Sequence, residues 1–135
     1  MEEYNIDVGE DLYFPRTERW VMDSLGLKLD YAVYYQMILN KGYVTWSRQW
    51  TAHVLGCSEE KVKDMQVYMV NKGVLAKRTD NTDKGGNRRR SVYVALYTRE
   101  GRRPDYEVEQ LLQAGMNKIT LEYSEPRYYK KRKGR

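Results

Sequence analysis

With 135 residues, 24 basic and 19 acidic side chains and a net charge of +5, the chain is long enough to bury one core. A single Cys and a single His exclude a disulfide framework and any zinc cluster of ordinary ligand number, so no metal or cofactor is expected. No apolar run approaches the roughly 18 residues of a membrane span, and the acidic start MEEYNIDVGEDLYF lacks the regions of a signal peptide. The expectation is a soluble cytoplasmic protein with no membrane partner.

Charge is unevenly placed. Residues 1–30 hold 3 basic and 8 acidic side chains, whereas residues 72–103 hold 10 basic and 3 acidic. Residues 104–126 are acidic again, and residues 127–135 carry 6 basic groups and no acid. Such asymmetry predicts a nucleic-acid face on one side of the molecule.

Residues 1–16 read as an acidic arm that ends at Pro15. TERWVMDSLG predicts a short helix capped by Thr17, with Trp20, Val21 and Leu25 inward and Gly26 as its stop. LDYAVYYQMILN (29–40) predicts a well-buried helix with Asp30 as N-cap and Lys41-Gly42 as its end. Tyr43-Val44-Thr45 has the character of a short edge strand.

From Thr45 to Leu75 two helical segments flank a break. Gly56 can close the first in the left-handed conformation, Ser58 can cap the second, and Glu59 and Glu60 suit its positive end. Asn71-Lys72-Gly73 stops it. VLAKRT (74–79) and SVYVALYT (91–98) then alternate as half-buried strands do, joined by the turn-forming basic stretch DNTDKGGNRRR. Helix, tight turn, helix and hairpin predict a helix-turn-helix followed by a wing. Beyond the loop 100–104, Asp105 is expected to cap a last helix that Gly115 ends, and NKITLEY (117–123) reads as a strand or extended arm.

The fold class expected is therefore α+β: a winged helix-turn-helix of three-helix core and β-hairpin wing, with a C-terminal helical extension and a basic tail. The divisions fall at 1–16 (arm), 17–98 (winged helix), 99–126 (extension) and 127–135 (tail).

The opening Asp30-Tyr-Ala-Val-Tyr34, the A-x-x-L-G-x-S run at Ala52–Ser58, Val62 four residues later and Asn71-Lys-Gly-Val-Leu75 carry a family likeness. Residues 17–98 resemble the winged-helix amino-terminal domains of phage replisome organisers and plasmid replication initiators. The resemblance implies non-catalytic DNA binding in replication initiation or replisome organisation, in the nucleoid of a bacterial or archaeal host. It implies a helix in the major groove, presenting Ser58, Lys61, Lys63 and Tyr68, and a wing on phosphates or the minor groove. Homo-oligomerisation and a replication or host protein partner go with it.

The wing residues expected to grip DNA are Lys77, Arg78, Lys84, Arg88, Arg89 and Arg90. In the tail, Lys130, Lys131, Arg132 and Lys133 suit a nucleic-acid backbone while Tyr128 and Tyr129 offer rings for base stacking. Double-stranded DNA is favoured over single strands. Trp46 and Trp50 are expected in the core, His53 as a satisfied or surface histidine, and Cys57 in the turn as an unreactive thiol. No Walker-type G-x-x-x-x-G-K-[ST] and no H-E-x-x-H occurs, so catalysis is not expected. Two alternatives stand beside replication. One is a transcriptional repressor of a mobile element. The other is a winged-helix protein-interaction module, such as an inhibitor of a host machine, and Glu59 and Glu60 at the head of the reading helix favour it.

Overall fold

The computed structural model describes residues 16–80 and 90–124. They form an α+β unit of five helices and two small antiparallel sheets. Among the described residues no helix is long and apolar enough to cross a membrane.

Helix α1 (Arg19–Asp23) is shorter than expected, and Thr17 does not cap it. Glu18 takes the N-cap position without a side-chain cap, because its carboxylate is turned to the Trp20 indole N–H and the Arg99 guanidinium. Both donors hold the Glu18 carboxyl below its ordinary pKa, with Arg99 the stronger cause. Helix α2 (Leu29–Lys41) is buried over most of its circumference, including Tyr34, Tyr35, Met37 and Ile38. Its N-cap is Lys28 rather than Asp30. Asp30 lies one residue inside the helix and pairs with Lys61 at 2.7 Å, which lowers its pKa and raises that of Lys61.

Helices α3 (Arg48–Leu55) and α4 (Glu59–Lys72) follow the local signals closely. Ser47 and Ser58 each accept a hydrogen bond from the backbone N–H three residues on. Gly56 and Gly73 end the two helices at φ +72° and +86°, a conformation that disfavours a Cβ.

Strands β1 (Leu75–Asp80) and β2 (Arg90–Ala95) pair antiparallel, from Leu75 opposite Ala95 to Asp80 opposite Arg90. Residues 43–45 do not form a strand. They supply one bridge, in which Val44 exchanges two backbone hydrogen bonds with Tyr93 on the free edge of β2. The strand expected over 91–98 breaks at Leu96. Tyr97–Thr98 (β3) turns back on Gly101–Arg102 (β4), so part of the expected loop is paired. The break has a cause: the Tyr35 hydroxyl takes the backbone of Tyr97, accepting from its N–H and donating to its carbonyl, both at 2.8 Å.

Helix α5 runs unbroken from Asp105 to Ser124. The expected stop at Gly115 and the expected strand or arm over 117–123 are both corrected. Gly115 is inside the helix and buried, because the backbone there lies against Val92 and Tyr43. Helix α5 packs Val108, Leu112 and Ile119 on Val92, Val94 and Leu96 of the hairpin region. The opposite face of the hairpin gives Leu75, Tyr93 and Ala95 to the larger cluster with α1–α4. With cores on both sides, β2 reads as a continuous apolar run, as doubly covered strands do.

Candidate nucleic-acid interface

Alternation along β1 decides where its cations go. Lys77, paired with Tyr93, points to the helical side, whereas Arg78, paired with Val92, points to α5. On the helical side the hairpin does not close fully on the helices. A groove of about 910 Å³ runs between it, the start of α3 and the first turns of α4. This falls within the roughly 300–1,000 Å³ of ordinary ligand sites.

Among the described residues three cations stand around the groove: Arg48, Lys77 and Arg90. The Arg48 Nε donates to Gln66 Oε1 at 2.9 Å, and Gln66 Nε2 donates to the buried Tyr34 hydroxyl at 2.9 Å. The guanidinium is thus fixed by a chain of contacts reaching the core. Burial raises the pKa of both Tyr34 and Tyr93. Lys77 holds its ammonium 5.9 Å from the centroid of the Tyr93 ring. Arg90 donates to the Thr45 carbonyl at 3.0 Å and pairs with Glu122 of α5 at 2.7 Å. It therefore joins groove and α5 as well as adding charge.

The aromatic wall was not legible as such. Trp46 is partly buried against the core, as expected, but Trp50 is 41% exposed, so its expected core position is corrected. The inward stripe of α3 is filled by Thr51, Ala52, Val54 and the half-buried Leu55, which leaves Trp50 and His53 outside. Trp50 meets Trp46 edge to face at 6.4 Å and lies 5.0 Å from the His53 ring. Ser47, Thr45, Thr79 and Ser91 add hydroxyls to the lining, and among the described residues Glu59 is its one carboxylate.

The other expected contacts are dispersed. Arg78 makes a two-pronged pair with Glu109 on α5, at 2.7 and 2.9 Å, on the far side of the sheet from the groove. That pairing raises the Arg78 pKa and lowers that of Glu109. Ser58 caps α4. Lys61 is turned to Asp30 and lies over the Tyr31 ring, and Tyr68 packs edge-on to that same ring with Lys72 above it. Lys63 is exposed, on an outward face of α4 shared with Glu60, Asp64, Val67 and Asn71. Cys57 is half-buried, and burial raises its pKa, which disfavours the reactive thiolate. Lys84, Arg88 and Arg89, and the tail residues Tyr128, Tyr129, Lys130, Lys131, Arg132 and Lys133, lie outside the described residues.

Arg48, Trp50, Gln66 and Tyr93 are among the groove residues that the sequence reading missed. A usable signal existed: Ser47 as N-cap places Arg48 and Gln49 in an exposed first turn, beside a Trp the apolar stripe does not need. No protein-family model matches the chain, and neither a curated protein nor a solved structure matches it.

Proposed function

We propose that this chain is a non-catalytic DNA-binding protein of winged-helix type, serving replication initiation or replisome organisation in a phage or plasmid. The observation that carries the reading is the groove, where Arg48, Lys77 and Arg90 stand beside Trp46, Trp50 and Tyr93. It opens on the face of the hairpin whose connecting stretch carries Lys84, Arg88 and Arg89 in sequence. Cations beside aromatic rings combine phosphate neutralisation with base contact. The order of three helices and a hairpin, and the resemblance over residues 17–98, support the winged-helix assignment and the replication role.

Within this reading α4 does not act as a deep major-groove reader. Its outward face carries Glu60 and Asp64 against Lys63, and Lys61 is already paired with Asp30. Major-groove readers approach phosphates and base edges with donors, so two acids there repel the backbone. The hairpin side is the better contact surface.

Fluorescence anisotropy with labelled DNA, from low to physiological salt, tests the proposal. Affinity should fall steeply with salt, and the double variant Arg48→Ala, Lys77→Ala should lower the slope of log K against log salt by about two. A salt-independent or absent signal at low ionic strength overturns it.

The acidic face of α4, with Val67 and Tyr68 exposed beside it, favours a second reading as a protein-interaction module. In that case substitution of Glu60 and Asp64 abolishes partner capture while the Arg48, Lys77 variant retains it.

A further inference from the structure

We infer that the groove between α3 and the hairpin takes an unpaired nucleotide, so that the protein prefers DNA with a single-stranded portion over intact duplex. This rests on the nucleic-acid reading and names the state of the DNA at the site.

Three features lead there. First, the partly exposed Trp50 ring, flanked by Trp46 and His53, lines a concavity. In a duplex both faces of each base are covered by its neighbours, so a Trp in a groove wall meets a base face only after the base has left the stack. Second, Trp50 is held in place. Its backbone N–H is fixed by the Ser47 cap and its ring is braced edge-on by Trp46. An exposed indole so held loses little further freedom on binding, and base–aromatic stacking contributes about 1–3 kcal/mol per base. Third, the polar lining divides by chemistry. Arg48 and Lys77 suit the phosphate, whereas Glu59 repels a phosphate but accepts from the amino group of a free base.

The volume agrees. At about 910 Å³ the groove has room for an unstacked base with its sugar and phosphate.

The experiment uses the full chain with a fluorescein-labelled mixed-sequence strand of roughly 12 nucleotides, a length within the site sizes of single-strand binders. The matched duplex is the comparison. The strand should bind at least about tenfold tighter than the duplex and quench tryptophan fluorescence. Trp50→Ala should weaken strand binding about tenfold, the effect of losing one stacked base, and leave duplex binding unchanged. Trp50→Phe should keep most of the strand affinity and lose most of the quenching. Because Trp50 is surface-exposed, both variants retain the fold, which circular dichroism checks. Equal or tighter duplex binding, or strand binding indifferent to Trp50→Ala, overturns the inference while leaving the nucleic-acid reading intact. Failure of both DNAs to bind at low salt removes that reading and this inference with it.

Discussion

Gly115 of α5 lies so close to Val92 of β2 that a methyl group on it has nowhere to go. A Cβ there would overlap Val92 Cγ1 outright, stand 2.9 Å from Cγ2 and come within 3.2 Å of Tyr43 Cδ1. Helix propensity alone favours Ala over Gly by about 1 kcal/mol. Here packing opposes propensity, since Val92 is fully buried and has no open space to move into. Gly115→Ala should destabilise the protein by about 1–3 kcal/mol in urea unfolding. Pairing it with Val92→Ala should recover part of that loss. A gain in stability on Gly115→Ala shows that the contact yields.

The Tyr35 hydroxyl clamps the backbone of Tyr97, and burial pushes its pKa up to about 12. Burial raises Tyr34 and Tyr93 too. In the unfolded chain these phenols ionise near pH 10. As pH rises the unfolded state therefore loses its protons first, and the native state holds more of them. Stability from these groups is full below about pH 10 and is lost as pH climbs through that value toward 12. The urea midpoint should fall over this window. Tyr35→Phe should cost about 1–3 kcal/mol at neutral pH, because two backbone groups lose their partner, and should make the alkaline fall shallower. A variant whose alkaline fall parallels that of the parent would remove Tyr35 from this account.

Adjacent cations on β1 should behave differently. Lys77 borders the groove, whereas the Arg78 charge is met by Glu109 on the other side of the sheet. Lys77→Ala should weaken DNA binding and reduce the salt slope by about one; Arg78→Ala should do neither. Because the Arg78 pair is exposed, its loss should barely move the unfolding midpoint. Equal losses of DNA affinity for the two variants would place the contact surface elsewhere.

Arg90 should register mainly in stability. Its guanidinium satisfies the Thr45 carbonyl, and Thr45 is buried. Arg90→Met should cost about 1–3 kcal/mol. It should also speed amide exchange in the last turns of α5, where Glu122 loses its ion pair with Arg90. Exchange there at the parent rate would show that the Glu122 pair does not hold the helix end. For the same reason Lys77 is a cleaner site for probing DNA contact than Arg90, or than Arg48 with its bond to the buried Gln66.

What the sequence made legible was local. The limits of α3 and α4 are set by Ser47, Ser58, Gly56 and Gly73, each acting within one turn of itself, and three of these four signals were readable in advance. The hairpin followed from turn residues and period-two patterning. The errors were non-local. Gly115 looked like a stop because its neighbour Val92 is 23 positions away in the sequence. Trp50 looked like core because Trp usually is, and only the filling of the inward stripe by other residues displaces it. The candidate site suffered most. Lys77 and Arg78 differ in sequence by parity alone, and which face α5 covers is a tertiary fact.

The link from the Thr45 carbonyl through Arg90 to Glu122 ties the end of α5 to the groove margin. Arg127, the first cation of the basic tail, follows Glu122 by five residues. Five residues span at most about 18 Å. A DNA strand held in the groove, as proposed, meets the cations that follow in the chain at an effective concentration set by that length of chain instead of by the solution. Under the proposed function, groove and tail act as two weak grips in series, and removing the tail should cost more affinity than its isolated binding suggests.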